Sequence, residues 1–494
     1  MLSQFALLIL GFFSQRAMNL YMGAELVGMN GVISNVINIL SVTELGISTA
    51  IVYHLYGALA RKDEAEIASL MNLYRKAYHV FAVLVFAAGM AVLPFIHLFM
   101  KNNSYSLSYI RVLYAMWLVR TVLSYLLTYR KSLLIADQKE YIASITGLIL
   151  NVDSYLAIIL LVTWEQNYLL ALGIGTVTEV VLNIWISWYV EQKYPFLRQR
   201  RKEKSTSSLT KRIVRDLKSL FISRISEKML YCTDNLIISG FIGVGTVGRY
   251  ANYCMITQAI SNILTILANT IQPTVGDYFT EKNRQRNYEI LRQLTFGFFC
   301  IASVVSVGLF SLITPFVRDI WLGPSYELGW GITVFCIVVL LVRIMGLPLS
   351  LVMGVTGLFE KEKNVGASSA LLNLIVSLAL VKPYGMAGVL LGTLLSYLLQ
   401  ILYRYIIYFR DFLEMPGEAL RYAQDIGEYL AVIAGEVLLM QKIVPLIYGA
   451  GGMLLFCVCF LLCIAIPLLL DLVIFGRGWR LQSIVTMVKG MRKA

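Results

Sequence analysis

Two similar stretches, MWLVRTV at residues 116–122 and VLLVRIM at residues 339–345, each place one arginine in the middle of an apolar run. Both contain the triplet Leu-Val-Arg, in which Arg120 and Arg343 are the charged residues. A charged residue at the centre of a lone membrane helix costs about 2.5–3.5 kcal/mol on insertion scales. Such a residue is retained where it is hydrated, paired or useful, so we expect a role for both arginines.

The two halves of the chain resemble each other around these triplets. MGAELVGMNG at residues 22–31 aligns with IGVGTVGRYA at residues 242–251, and LPFIHLF at 93–99 aligns with TPFVRDI at 314–320. The offsets are 220 and 221 residues, and the two triplets follow at an offset of 223. Three matches in the same order predict an internal duplication, which is typical of transporters whose substrate path lies between repeats.

Composition indicates a membrane protein. Of the 494 residues, 58% are hydrophobic and only 14% are charged, with a mean hydropathy of +0.72, which is far from the composition of soluble domains. The three histidines are scattered and the seven cysteines form no C-x-x-C pair, so neither a metal site nor a disulfide framework is expected. No G-x-x-x-x-G-K-[ST] loop is present, so we expect no ATP hydrolysis.

Apolar segments of about 18–25 residues predict an all-α polytopic protein with about 14 transmembrane helices. The N-terminal segment has no basic n-region and no small-residue cleavage site, so it is predicted to be a retained helix. The segments lie near residues 1–22, 28–58, 77–100, 107–129, 141–163, 167–190, 217–242, 246–276, 291–314, 330–355, 366–381, 384–407, 426–447 and 450–475.

Basic residues predict the orientation. We count 31 Lys and Arg residues in loops and tail on the side of the two termini and 4 on the opposite side, so both termini are expected in the cytoplasm. This asymmetry and anionic lipid account for the net charge of +13, so nucleic acid is not an expected partner. The predicted regions are an N-terminal six-helix lobe (1–192), a basic cytoplasmic linker (193–216), a C-terminal six-helix lobe (217–412) and a terminal helix pair with a basic tail (413–494).

Four stretches resemble a known family: LGISTAIVYHLY at 45–56, MNLYRKAYHV at 71–80, LLIADQKEYI at 133–142 and CTDNLIISGFIGVGTVGRYANY at 232–253. They are similar to the polysaccharide-transport (Wzx-like) flippases of the multidrug/oligosaccharidyl-lipid/polysaccharide superfamily. The resemblance implies two pseudo-symmetric six-helix lobes in a V with a cationic central cavity, in a bacterial inner membrane. It also implies transfer of undecaprenyl-pyrophosphate-linked oligosaccharide to the outer leaflet by alternating access. In related lipid II flippases the terminal helix pair forms a groove for the lipid tail, which points here to residues 426–475.

Buried cations are the candidate ligands for a diphosphate, because the planar guanidinium binds phosphate oxygens bidentately and keeps its proton. A pseudo-two-fold axis would bring Arg120 and Arg343 to opposite walls of one central space. The resemblance places cavity arginines on helices one and eight, which implies Arg16 and Arg249. The full set of candidates is Arg16, Arg120, Arg224, Lys228, Arg249 and Arg343.

A structural interpretation of these arginines stays open beside the functional one. Arg224 has Glu227 and Asp234 as candidate ion-pair partners, and Arg120 and Arg343 have any of several buried acids. Those acids are Glu44, Asp153, Glu179, Glu227, Asp234 and Glu436.

Tyrosines and acids are the remaining candidates. Tyrosine rings stack on sugar faces and their hydroxyls hydrogen-bond to sugars, and the candidates are Tyr231, Tyr250, Tyr253, Tyr397 and Tyr403. Transport of two negative charges down an inside-negative potential releases roughly 2.3 kcal/mol per charge per 100 mV. Alternatively, an exchanged H⁺ or Na⁺ binds an acid in the cavity, and no other cofactor is expected. The candidate coupling acids are Glu44, Asp153, Glu179 and Asp234.

Other functions compete with the flippase interpretation. A multidrug-type (MATE) cation-coupled exporter of small molecules would share the fold, but its pocket would favour acidic and aromatic residues. A membrane glycosyltransferase or polymerase would need large external loops with carboxylates, and an accessory scaffold would not need repeated buried arginines. We therefore expect a transporter and not an enzyme, working as a monomer among membrane lipids, with polysaccharide assembly proteins as the partners to consider.

Overall fold

The computed structural model describes residues 2–41, 47–198, 228, 232–279, 283–358, 361, 363–449 and 451–476. Throughout these residues the regular secondary structure is helical. The chain divides into two compact units, Met1–Ala251 and Asn252–Ala494. The predicted division into lobes, linker and terminal pair stays a prediction, and most of the linker lies outside the described residues.

The described residues of the first unit form nine helices and the beginning of a tenth. A π-helical turn, Met18–Met22, follows the first helix, and a 3₁₀ segment, Leu93–Phe99, follows the fourth. The helices are α1 (Leu2–Ala17), α2 (Gly23–Leu40), α3 (Ile47–Ala60), α4 (Glu64–Val92), α5 (Leu107–Thr128), α6 (Lys131–Ala136), α7 (Glu140–Glu165), α8 (Tyr168–Lys193), α9 (232–241) and α10 (Val244–Tyr278).

The second unit continues α10 and adds six helices. The long helix α11 packs against α12 and against the two last helices, α15 and α16, while α13 and α14 pack on each other. An ion pair between Arg292 Nε and Asp425 Oδ2, at 2.6 Å, joins α11 to α15. The helices are α11 (Arg284–Pro315), α12 (Trp330–Val355), α13 (Lys363–Tyr384), α14 (Met386–Ile407), α15 (Pro416–Tyr448) and α16 (Met453–Phe475).

Eleven helices of the described chain are long and apolar enough to cross a membrane. They coincide with eleven of the fourteen predicted segments, which confirms a multi-pass, all-α membrane protein. Of the other three, segment 1–22 is α1 with its π-helical turn. Segment 217–242 lies mostly outside the described residues.

The prediction of one helix over residues 28–58 is wrong, because the structure has α2 and α3 there. Helix α2 ends at Leu40, and Ser41 leaves the helical region with φ −83° and ψ 0°. Serine favours helix ends over helix interiors. An apolar count alone does not register this break.

Helices α2 and α10 touch each other at the aligned repeat segments. A Cβ on Gly28 would overlap the backbone carbonyl of Val244, and a Cβ on Gly248 would overlap that of Ala24. These contacts are reciprocal, because residues 24 and 28 align with residues 244 and 248. A reciprocal contact is what a two-fold axis produces, and small residues allow the close backbone approach. The crossing supports the predicted duplication.

The repeated glycines before this crossing are explained by backbone conformation. Gly23 has φ +82° and Gly243 has φ +143°, values that side chains with a Cβ rarely adopt. Gly23 is the first residue of α2, and Gly243 directly precedes α10. Each glycine therefore turns the chain into the helix that makes the crossing.

The loop after the 3₁₀ segment forms hydrogen bonds with the end of α9 and the beginning of α10. Lys101 O accepts from Val244 N at 3.0 Å, and Asn102 Nδ2 donates to Ile242 O at 3.0 Å. Glu25 Oε2 in α2 accepts from the backbone N–H of Ser104 at 2.9 Å. These bonds hold the beginning of α10 at its crossing with α2.

On the opposite side of the unit, a polar cluster outside the membrane spans joins α6 to the end of α8. Asp137 forms an ion pair with Lys139 and accepts a hydrogen bond from Tyr194. Burial raises the pKa of Asp137, but the hydrogen bonds from Lys139 and Tyr194 outweigh burial and leave this pKa below its usual value. The short helix α6 was not predicted, since its six residues lie in a predicted loop.

Candidate functional site

Arg120 lies in α5 and forms an ion pair with a second membrane helix. Its Nε donates to Glu179 Oε2 in α8 at 2.8 Å, and the two side chains are 18% and 16% exposed. The structural pairing that the sequence left open for Arg120 is thus present. The bond uses the Nε–H, and the guanidinium carries four more N–H donors that point away from the backbone.

A tryptophan and an asparagine extend this pair to α2. Trp117 lies one turn before Arg120, whose Cζ is 5.6 Å from the centroid of the indole ring. The indole N–H of Trp117 donates to Asn30 Oδ1 at 2.7 Å. A cation over an indole face is attracted by the ring quadrupole. The guanidinium is therefore held by a carboxylate and by an aromatic face at once.

Polar atoms of α7 approach the same place across a glycine of α8. A Cβ on Gly175 would lie 3.1 Å from Ser154 Oγ and 3.5 Å from Arg120 Nη1, so the glycine leaves space for both. Ser154 Oγ and the neighbouring Asp153 Oδ2 are buried without a hydrogen-bond partner among the described residues. Buried polar atoms are nearly always satisfied by protein, water or ligand. We name Arg120, Glu179, Trp117, Asn30 and Ser154 the α5–α8 cluster.

Arg343 lies in the second unit and has a different neighbour. It is partly buried in α12, with its Cζ 5.5 Å from the ring centroid of Tyr397 in α14. The predicted sugar contact Tyr397 is therefore engaged with a predicted phosphate ligand. The two repeat-related arginines lie in different units, and their convergence on one space stays a prediction.

The other candidate cations are placed as follows. Lys228 Nζ donates to Asn38 Oδ1 of α2 at 3.4 Å. Arg16 is exposed in the last turn of α1, and Arg249 is partly exposed in the second turn of α10. Arg224 lies outside the described residues. The structure thus describes five of the six candidates without testing their roles.

The candidate acids and tyrosines vary widely in exposure. Asp234 is 7% exposed in α9, and Tyr403 is 38% exposed in α14. Tyr253 is fully buried, and its hydroxyl accepts from Leu328 N at 3.1 Å, so its predicted contact with sugar stays a prediction. Tyr250 is partly buried in α10. Glu44 and Tyr231 lie outside the described residues.

Several residues of the α5–α8 cluster were missed by sequence reasoning. Asn30 had a usable signal, because an amide within an apolar membrane segment needs a partner. Trp117 and Ser154 had none, since interfacial tryptophans and helix serines are common in membrane helices. Gly175 could not be singled out from the sequence either, because the chain contains 36 glycines.

The described chain is a many-helix membrane protein with polar groups bound between its helices, and comparison with known proteins gives its family. The sequence model described as "Polysaccharide biosynthesis protein" matches residues 1–279. The chain belongs to this family. A sequence search among curated proteins gives no significant match.

Solved structures with the same fold are transporters. The chain is similar to "Lipid II flippase MurJ, inward closed conformation" with a TM-score of 0.68 and 16% identity, covering 96% of this chain and 98% of that chain. For an inward-facing MATE-family multidrug transporter of the MOP superfamily the TM-score is 0.62 at 12% identity, covering 81% of this chain and 93% of that chain. For the D35N mutant of the MATE transporter VcmN of Vibrio cholerae the TM-score is 0.52 at 11% identity, covering 83% of this chain and 96% of that chain. The chain therefore shares the helical fold of these transporters, as predicted.

Proposed function

We propose that the protein is a flippase that moves a polyprenyl-pyrophosphate-linked oligosaccharide from the cytoplasmic to the outer leaflet by alternating access. The family and the fold shared with a lipid II flippase support transport of a lipid-linked sugar over enzyme chemistry. The observation that carries the proposal is the guanidinium of Arg120 between membrane helices, held by Glu179 beside the unpartnered Ser154 Oγ. We place the protein in the bacterial inner membrane with both termini in the cytoplasm.

The chemistry of the head group explains why such a pair is useful. A diphosphate cannot enter hydrocarbon without compensation of its charge. An unpaired arginine between helices would be costly in the empty protein, and Glu179 compensates it. The diphosphate exchanges with Glu179 as the partner of Arg120, since a charge-assisted bidentate bond to phosphate replaces the bond to the carboxylate. The released carboxylate of Glu179 then takes up a coupling cation, which links substrate binding to cation binding.

The other candidates keep the roles predicted for them within this proposal. The cations contact the diphosphate, the tyrosines contact the sugar, and the acids bind a coupling H⁺ or Na⁺. The described side chains concerned are Arg16, Lys228, Arg249 and Arg343 among the cations, Tyr250, Tyr397 and Tyr403 among the tyrosines, and Asp153, Glu179 and Asp234 among the acids.

A second candidate function is cation-coupled export of a small organic molecule. The fold shared with MATE transporters favours it, and so does the presence of Glu179 beside Arg120. This exporter would use the acids as its primary ligands, and the arginine would only neutralise one of them. The two functions therefore differ in what Arg120 binds.

Exchanging the charges of the pair tests this difference. In Arg120→Glu combined with Glu179→Arg the ion pair is restored, so the protein should fold and insert. Transport of lipid-linked oligosaccharide in proteoliposomes should nevertheless stay reduced by about tenfold or more, as in Arg120→Ala, because the cation has moved to the other helix. The measurement is the protection of the sugar from an impermeant reagent over time.

Arg111→Ala is the matched control, because Arg111 is an exposed arginine of the same helix. It should transport at nearly the normal rate. Recovery of full transport in the exchanged variant would show that Arg120 is only a packing partner, and the flippase site would be wrongly placed. Export of an organic cation by the same vesicles, without movement of lipid-linked sugar, would favour the second function.

A further inference from the structure

Two buried acids lie on the two neighbouring helices of the terminal pair. Glu436 in α15 and Asp471 in α16 are each 3% exposed, and both helices pack on α11. Ser303 of α11 is fully buried, and its Oγ donates to Glu436 Oε2 at 2.5 Å. Asp471 lies within electrostatic range of Glu436. We name Glu436 and Asp471 the terminal acid pair. The two acids and Ser303 lie on three different helices.

Most oxygens of this acid pair have no partner. Glu436 Oε1 and both carboxylate oxygens of Asp471 are buried without a hydrogen bond among the described residues. Neither Glu436 nor Asp471 forms an ion pair with another described residue. The Arg292–Asp425 pair is three helical turns away on α11 and α15, and its charges compensate each other. Lys442, further along α15, is exposed.

The surroundings exclude water on one side of the acids. Phe299 stacks on Tyr429 with ring centroids 4.5 Å apart, and the ring of Phe475 stands edge-on to Phe299 at 5.5 Å. Phe299 and Phe475 lie one turn from Ser303 and Asp471 respectively. The titratable side chains that line the same helix faces are Cys300, Tyr429 and Cys463, and none of them carries a positive charge.

We propose that Glu436 and Asp471 form a proton-binding site in which the two carboxyl groups share one proton. Two ionised carboxylates within electrostatic range of each other in an apolar setting would repel each other and lose their hydration. A proton on one of them turns that group into a donor, and an unpartnered oxygen of the other acid is the acceptor it needs. One proton therefore removes a charge and satisfies two orphaned oxygens.

A proton fits this site better than a metal ion does. Calcium and magnesium need about six oxygen ligands, and no group of three or more His, Cys, Asp or Glu side chains that could hold a metal is found in the described ranges. The proton also gives the site a mechanical consequence. Its loss leaves two buried negative charges between α11, α15 and α16, so deprotonation weakens the packing of the terminal helix pair. This inference does not depend on the identity of the transported substrate.

Infrared difference spectroscopy on the full-length protein in lipid nanodiscs tests the site directly. At neutral pH the wild type should show the carbonyl band of a protonated carboxylic acid, and the band should disappear as the pH is raised. The double variant Glu436→Gln with Asp471→Asn should lose this contribution. Glu428→Gln is the matched control, because Glu428 is an exposed acid on the same helix, and it should leave the band unchanged.

Thermal unfolding gives a second readout. The melting temperature of the wild type should fall between about pH 6 and about pH 9, because a proton bound only by the folded state stabilises less as the pH rises. The double amide variant should show a smaller fall, since amides mimic the protonated pair. If it fails to fold, Ser303→Ala replaces it in the infrared test and should shift the band, because one hydrogen bond is lost.

Three results would overturn the proposal. The first is a wild type without a protonated carboxyl band at neutral pH. The second is a band that is identical in wild type and in the variants. The third is a melting temperature that rises with NaCl but not with choline chloride in the wild type and loses this response in the double variant, because a sodium ion would then occupy the site.

Discussion

Arg120 is held in place before any ligand arrives. The carboxylate of Glu179 fixes one edge of its guanidinium and the indole of Trp117 supports one face. A side chain that is already positioned loses less conformational entropy when it binds. The contribution of this arginine to binding therefore depends on its neighbours as well as on its charge.

Arg343 lies beside the aromatic ring of Tyr397. Cation–π attraction is worth about 0.5–2 kcal/mol, so Tyr397→Leu should reduce transport of lipid-linked sugar by roughly 2- to 30-fold. Tyr397→Phe keeps the ring face and should transport at close to the normal rate. The measurement is the initial rate in proteoliposomes at equal protein density. An equal loss in both variants would assign the effect to the hydroxyl and not to the ring face beside Arg343.

Both members of the Arg120–Glu179 pair could be named from the sequence, but their contact could not. They are 59 residues apart, and six acids competed as partners in the interpretation of the sequence. Which acid reaches the arginine is decided by the rotation of α8, where Gly175 faces α5 and α7. Apolar periodicity does not fix that rotation in a membrane helix, because lipid and protein neighbours are equally apolar.

At the scale of helices, the crossing of α2 with α10 makes a sharp prediction. Gly28→Ala places a methyl group against the carbonyl of Val244, so the helices must separate. We expect a loss of about 1–3 kcal/mol in stability, as for overpacked interiors. The measurement is the melting temperature in detergent, with expression in the membrane as a second readout.

The same helix supplies the control for this crossing. A Cβ on Gly31 would lie 3.9 Å from Val247 Cγ1, which is an ordinary contact, so Gly31→Ala should leave the melting temperature nearly unchanged. Alanine raises helix propensity equally at both positions, and the difference between the variants isolates the crossing. Equal melting temperatures would show that the helices are not in contact in the membrane.

Helix existence was predicted better than helix ends. Helix α4 begins at Glu64, where Asp63 caps it by accepting from Glu66 N at 2.9 Å, whereas the apolar segment was predicted to begin near residue 77. The first turns of α4 are polar, so hydropathy does not detect them, although the Asp-x-x-Glu capping pattern does. Hydropathy detects the part of a helix inside lipid and says little about its extension into water.

For the whole molecule, the source of energy is the property to test. Outward transfer of two negative charges across 100 mV is worth roughly 4–5 kcal/mol, so an inside-negative potential should speed transport of the diphosphate-linked sugar in proteoliposomes. A gradient of H⁺ or Na⁺ should add to this if Glu179 exchanges a cation. The measurement is the initial rate under imposed potentials and gradients.

A neutral polyprenol-linked sugar serves as the control, because no head-group charge then crosses the field. A rate that responds to neither potential nor ion gradient would contradict the proposed driving force.

The sequence predicted the membrane class, the family and most of the spans, since these follow from composition and from motifs such as the one at 232–253. Driving force leaves no comparable pattern, because a coupling acid and an acid that only compensates an arginine have the same local sequence.

The reciprocal crossing of α2 and α10 also explains where the duplication is still readable in the chain. Each repeat presents its glycine to the other, so a larger side chain at Gly28 or at Gly248 would meet the partner's backbone in either case. Substitutions at these two positions are constrained by the same contact, whereas most other positions have separate neighbours. One of the three stretches that the two halves share therefore lies where α2 and α10 are in contact.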